Sequence, residues 1–419
     1  MADDSAGRPR LSPNLIAGAI LVVLAIALVS WQQPWHTDTN FEKPAISADA
    51  GTVIAAQIRD LDAARTEAEF VAAAGNSAKA RDYAKQIYAN ISLLGATDIG
   101  LRFLRGGDSG VRSDGATEAT VEVSWRPGPS SGLAEQQTKE AEVTFVLDPL
   151  KNDTFALRNA ERGSGPMPLW LVGKLDVVRN GGATIISIDG GNANEPITSE
   201  ANLAYDDVRK VVTTAKVRLV VVSPHTEQQT AELLDQPAKS IEQIAAVTTT
   251  LDGSNNAKAA AVVILNPAVF ATMDARAAQV VLSHEATHLM TNAATENIES
   301  WVAEGFADYV ALHDDKASLS VSAGQILRSV KKDGAPGHLP TTADFGSTQH
   351  GLGGTYESAW MIFRMLGARF GDADILRFYN AVLAGTPIAE ATESTFGLSV
   401  AGITSDWRAY LVKRASITS

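Results

Sequence analysis

Residues Val280–Met290 read VVLSHEATHLM. Two histidines, His284 and His288, stand one helical turn apart, with Glu285 directly after the first. On an α-helix, positions i and i+4 differ by only about 40° around the axis, so both imidazoles point the same way and can share one metal ion. Glu285 is rotated by about 100° and lies beside such a metal rather than on it, placed to take a proton from bound water. The local sequence supports a helix. Ala275–Met290 contains no Pro or Gly, and Thr272 or Asp274 stands where an N-cap belongs. Val280, Val281, Leu282, Leu289 and Met290 make the segment apolar nearly all round, as in a buried helix. Two buried histidines need partners. The plain alternative is a pair of hydrogen-bonded structural histidines.

The next segment, Glu299–Ala311 (ESWVAEGFADYVA), is also helical in pattern. It offers Glu304 as a carboxylate, with Asp308 one turn further on the same face. Catalytic zinc takes three protein ligands and keeps one position open. A ligating imidazole also donates its second N–H to an acceptor, a role that Asp308 suits. Trp301, Val302, Phe306 and Val310 make this face look buried rather than solvated.

These two segments resemble the gluzincin group of zincin metallopeptidases. The nearest match is the peptidase MA-like branch, whose second motif runs W-x-x-E-G-x-A-x-Y, as in Trp301-Val-Ala-Glu-Gly-Phe-Ala-Asp-Tyr309. The gap from His288 to Glu304 is shorter than in thermolysin, so that subfamily is not implied. Thr355–Trp360 is similar to the family's later Tyr-containing helix, and Gly397-Leu-Ser399 with Asp406-Trp407 to its closing G-x-S and tryptophan. The resemblance covers about 200–415. It implies Zn2+ bound by His284, His288 and Glu304, Glu285 as general base, and Asp308 orienting a ligand histidine. It makes Tyr356 the candidate for stabilising the oxyanion, a core tyrosine being the alternative, with His338 and His350 as substitutes in that role. In zincins the strand before the active helix commonly offers a free edge to an extended substrate; here that strand would be 260–265. Gly351–Gly354 reads as a turn between helices, with a mobile lip of the cleft as the alternative.

Toward the N-terminus, Leu15–Trp31 (LIAGAILVVLAIALVSW) carries no charge and nearly covers a bilayer core as a helix. Arg8 and Arg10 precede it, and the next basic residue is Lys43. The positive-inside rule then predicts a single-pass cell-membrane protein with a cytoplasmic N-terminus and an extracytoplasmic catalytic domain. The rival is a cleaved signal peptide and a secreted product. No small-x-small cleavage site stands out, and a bulky Trp-Gln-Gln-Pro-Trp follows, which favours the anchor.

The chain of 419 residues has room for two or three domains. Residues 1–35 form the expected tail and anchor, and 36–51 a polar linker. An α+β accessory domain is expected over 52–190: helices over 52–74 and 78–94, then strands over 117–125, 140–147, 155–158, 170–178 and 183–188. This element order resembles the cone-shaped nuclear transport factor 2-like fold, a ligand-binding or scaffolding module. After a Gly/Asn/Pro-rich linker at 189–199, a mainly helical zincin-like domain with a small sheet is expected over 200–419. Its predicted elements include a helix at 203–212, strands at 218–222 and 260–265, and a helix at 240–247.

Composition narrows function further. A net charge of -13, from 35 basic and 48 acidic side chains, argues against a nucleic-acid partner, which needs a basic footprint. With no cysteine, thiolate zinc sites, disulfides and a cysteine nucleophile are excluded, so a metal must be held by His, Asp or Glu. The leading expectation is a membrane-anchored zinc peptidase, endo- or aminopeptidase, that uses a metal-activated water on a peptide or protein substrate. The alternative is a non-catalytic binding or assembly protein with a structural or inactive zinc domain. A third expectation is that residues 52–190 bind a small ligand or a partner protein and deliver substrate to the second domain.

Overall fold

The computed structural model describes residues 48–128, 138–191, 195–215, 217–254, 256, 259–296, 298–346 and 352–417. The expected anchor, Leu15–Trp31, lies outside the described residues. Among these, no helix is long and apolar enough to cross a membrane.

The architecture is mixed α+β with two sheets. Helices of seven residues or more are numbered. Helix α1 (Ala48–Ala63), α2 (Glu67–Ala73) and α3 (Ala78–Leu94) precede the first sheet. A single helix expected over 52–74 is therefore two. Thr66 breaks it: its hydroxyl accepts the Glu69 N–H while the Glu69 carboxylate accepts the Thr66 N–H, a capping box that starts α2.

Strands β1 (Thr97–Val111), β2 (Thr117–Arg126), β3 (Lys139–Pro149) and β4 (Phe155–Ser164) form an antiparallel meander in that order. Ala119, Val121 and Val123 are fully buried and stand opposite Phe145, Val143 and Ala141. Strand β1 was not expected. Its sequence TDIGLRFLRGGDSGV is broken by glycines, and its pairing with β2 shifts register three times, so period-two alternation is lost.

Strands β5 (Leu175–Asn180) and β6 (Ala183–Ile188) do not join this sheet, contrary to the sequence reading. They belong to a second sheet with β7 (Leu219–Ser223), β8 (Ala246–Thr250) and β9 (Ala261–Leu265), in the order β5-β6-β7-β9-β8. Every residue of β6, ATIISI, is buried, as a strand covered on both faces requires. Residues 170–172, expected as the start of a strand, belong to one helical turn, Leu169–Val172. Residues 240–247, expected as helix, give a turn of helix at Ala238–Ile241 and then β8, whose Val-Thr-Thr-Thr run suits an edge strand.

The second sheet is the layer that the two halves of the molecule share. Ile185, Val221, Val263 and Leu265 face the C-terminal helices. Ile186, Ile188, Val220, Val222, Val262 and Ile264 face the first sheet and helices α1 and α3. Polar ties add to this. Asn90 of α3 donates to the carbonyls of Trp170 and Gly173 and accepts the Leu175 N–H. Buried Lys139 of β3 donates to Asp252 at 2.6 Å.

The remaining helices are α4 (Glu195–Val211), α5 (Glu227–Leu233), α6 (Ala275–Thr291), α7 (Ser300–Ala311), α8 (Gly324–Asp333), α9 (Leu352–Phe370), α10 (Asp372–Leu383), α11 (Ile388–Phe396) and α12 (Val400–Ile417). Helix α4 begins inside the stretch expected as linker, so 195–199 is helical.

Candidate metal centre

Asp274 starts α6, its carboxylate accepting the Ala277 N–H at 2.8 Å; of the two candidate caps it is the one used. Asn292 ends the helix in the left-handed region, φ 61. Almost every side chain from Val280 to Met290 is buried. Helix α7 crosses beside it, pressed against α9 at Gly305. A Cβ there would stand 2.7 Å from the Ala359 carbonyl oxygen and 2.8 Å from the Phe363 ring. This close approach places Glu304 and Asp308 over α6.

Four side chains then meet. His288 Nε2 lies 3.0 Å from His284 Nε2. Glu304 Oε2 lies 3.1 Å from His284 Nε2 and 3.5 Å from His288 Nε2. His284 Nδ1 lies 2.8 Å from Asp308 Oδ1. His284, Glu304 and Asp308 are buried.

The donor chemistry leaves a place for a cation. A carboxylate only accepts, so Asp308 takes the Nδ1–H of His284, and the neutral ring then presents a bare Nε2. That lone pair faces the Glu304 oxygen, a second acceptor, and the Nε2 of His288. A proton or a metal ion must stand between them. Burial alone would push His284 down, but the Asp308 and Glu304 carboxylates outweigh it and hold it well above its ordinary value. Burial likewise opposes charge on Glu304, yet His288 and His284 hold its carboxyl well below the usual range.

The spacing fits one metal ion. Donors about 2.0–2.1 Å from one tetrahedral ion stand roughly 3.3 Å from each other. The three pairs here are 3.0, 3.1 and 3.5 Å apart. Among the described residues, His284, His288 and Glu304 form the one cluster of three such side chains able to hold a metal. Two imidazoles and a carboxylate are a donor set for a divalent transition ion.

Glu285 is buried and borders a cleft of about 100 Å³ that reaches the ligand atoms. Thr248, Ala294, Glu296 and Ile298 line the same cleft. Burial pushes the Glu285 carboxyl up, against the opposing pull of His284, His288 and a bond from Thr248. Sequence reasoning missed Thr248. It lies on β8, 37 residues from Glu285, and nothing local marks it.

Tyr356, in the first turns of α9, is buried with its ring 6.4 Å from that of His284. Burial, then Glu304, Asp308 and Glu285, push its hydroxyl well above the usual range. His338 is not in the site. It lines a separate cavity with Pro336, Thr355 and Ser358, and its Nδ1 donates to the Leu339 carbonyl. His350 and Gly351 lie outside the described residues, and Gly353 and Gly354 belong to α9. Gly397 closes α11 in the left-handed region, φ 65, and Trp407 is fully buried. The expected free edge at 260–265 is corrected. β9 lies inside the sheet, between β7 and β8, and the edge beside α6 is β8.

No protein-family model matches the chain, and no curated protein matches it.

Proposed function

We propose that this chain is a membrane-anchored, zinc-dependent peptidase with His284, His288 and Glu304 as metal ligands. One observation carries the reading: two imidazole nitrogens and a carboxylate oxygen converge within bonding distance of a single point, beside a buried carboxylate that opens onto a cleft. When bound, zinc polarises a substrate carbonyl and acidifies water. Glu285 takes the proton of the attacking water and returns it to the leaving amine. Asp308 holds His284 in the required tautomer. Tyr356, kept protonated by its surroundings, donates to the carbonyl oxygen as that oxygen gains charge. An extended peptide would add to the outer side of β8, the last strand of the sheet, by main-chain pairing. The likeness of the two sequence motifs to gluzincins supports the same reading, and Leu15–Trp31 supports the anchor.

The test is metal content of the full-length chain beside Glu304→Ala. One zinc per chain, lost in the variant, is expected. Cleavage of a peptide library by the wild type, and none by Glu285→Ala, is expected next. A chain that takes up no zinc even after reconstitution makes α6 a structural helix, and the non-catalytic binding reading replaces this one. Full turnover in Tyr356→Phe removes that residue from the mechanism.

A further inference from the structure

The hydroxyl of Thr248 stands 2.6 Å from Oε2 of Glu285 and 2.9 Å from the backbone carbonyl oxygen of the same residue. Thr248 is the middle residue of β8. It stands opposite Val263 of β9, whose side chain packs with the C-terminal helices, so the pleat turns Thr248 toward α6. A threonine hydroxyl has one proton, so its bond is given either to the carboxylate or to the carbonyl, and the shorter contact is the carboxylate. No other side chain donates to the Glu285 carboxylate among the described residues. The base of the proposed reaction is therefore aimed by a hydroxyl from the strand that also forms the rim of the cleft.

We propose that Thr248 is a positioning residue: its hydroxyl holds the Glu285 carboxylate toward the cleft, so that β8, in receiving the main chain of a peptide, also fixes the base relative to it. This rests on the peptidase reading above. Thr248 touches none of the three ligand atoms, so it acts on the base and not on metal retention. The β-branched side chain is stiff at χ1 on a strand, which keeps the hydroxyl where the helix needs it. The hydroxyl proton stays on Thr248 throughout; what it supplies is a fixed acceptor geometry at Glu285.

The experiment uses the full-length chain with wild type, Thr248→Val, Thr248→Ser and Glu285→Ala side by side. Zinc content is measured first and is expected to be equal in all four, which also reports that each variant has assembled its site. A peptide hydroxamate is then titrated by calorimetry. Its N–OH proton passes to the Glu285 carboxylate as the hydroxamate chelates the metal, so its affinity reads the aim of that carboxylate without turnover. Thr248→Val is expected to weaken it about ten-fold, Thr248→Ser to restore it, and Glu285→Ala to weaken it at least as much as Thr248→Val. On a cleaved peptide from the library, Thr248→Val is expected to lose about ten- to a hundred-fold in kcat with KM unchanged. Wild-type hydroxamate affinity and kcat in a zinc-loaded Thr248→Val overturn the assignment alone. A wild-type chain without zinc overturns the peptidase reading and the assignment together. Should Thr248→Val fail to fold, Thr248→Ser and Thr248→Ala carry the comparison, with the same zinc measurement as the check.

Discussion

His284 donates its Nδ1–H to Oδ1 of Asp308 across 2.8 Å, with both side chains buried. This bond commits the Nδ1 proton to Asp308 and leaves Nε2 as the ring nitrogen that faces Glu304 and His288. Asp308→Asn should therefore keep the fold and weaken zinc binding by about 10–100-fold, the usual cost of losing the acceptor behind a ligand histidine. Competition with a fluorescent zinc chelator measures it. Equal affinity in the variant would show that the ring is oriented by its packing alone.

Gly305 lets α7 reach α9. Gly305→Ala puts a methyl group against the Ala359 carbonyl oxygen and the Phe363 ring. The helices must separate, at a cost of about 1–3 kcal/mol in a packed core. Since Glu304 is the neighbouring residue, zinc affinity should fall in the same variant. Urea unfolding and the chelator competition report the two effects; a stable Gly305→Ala with altered zinc affinity, or the reverse, would uncouple them.

Zinc removal should lower stability. A ligand at a hundred times its dissociation constant adds about 2.7 kcal/mol to the folded state. Chelation leaves His284, Glu304 and Asp308 buried around a point that then needs a proton. The melting temperature should fall on chelation, return with added zinc, and be insensitive to both in Glu304→Ala.

Glu357 of α9 is buried, its Oε2 accepting the Ile326 N–H at 2.7 Å where α8 begins. Burial pushes its carboxyl from the ordinary 4.5 up to about 8, against the opposing pull of the Ile326 and Gln325 N–H groups. The folded state thus holds a proton between pH 4.5 and about 8 that the unfolded chain has released. Its contribution is fully present below pH 4.5 and is lost as pH rises through about 8, with a slope of about 1.4 kcal/mol per pH unit. Glu357→Gln keeps an acceptor for the N–H groups and cannot ionise. Relative to the wild type it should gain stability as pH rises across that window. Parallel unfolding curves at both ends of the window would rule this out.

Lys139 and Asp252 tie the first sheet to the hairpin of β8 and β9. Lys139→Ala leaves the carboxylate without this buried partner and should cost about 3 kcal/mol, the low end for breaking a buried pair, since Asp252 keeps some solvent. Lys139→Met, which fills the same space, should cost no less if the charge matters and clearly less if packing does. Denaturant midpoints decide.

The site was legible where its residues are neighbours on one helix. His284 and His288 share a face because the helical period brings i and i+4 together, and Glu304 and Asp308 do so for the same reason. The sheets were legible only in part. Alternation marks half-buried strands such as β2, whereas β6 is buried on both faces and shows no period, so its sequence does not say which sheet takes it. The glycine-broken β1 and the short β8 carry too weak a local signal to outweigh their neighbours.

By itself, the sequence determined the shared faces of the two motif helices, the ligand types available to a metal without cysteine, and the mixed α+β class. Each follows from residue chemistry or from periodicity over a few turns. The tertiary structure alone decided that the second sheet joins both halves, that β8 rather than β9 is the edge, and that Thr248 meets Glu285. These are contacts between residues far apart in the chain, chosen by which apolar faces can cover one another, and no local pattern encodes that choice.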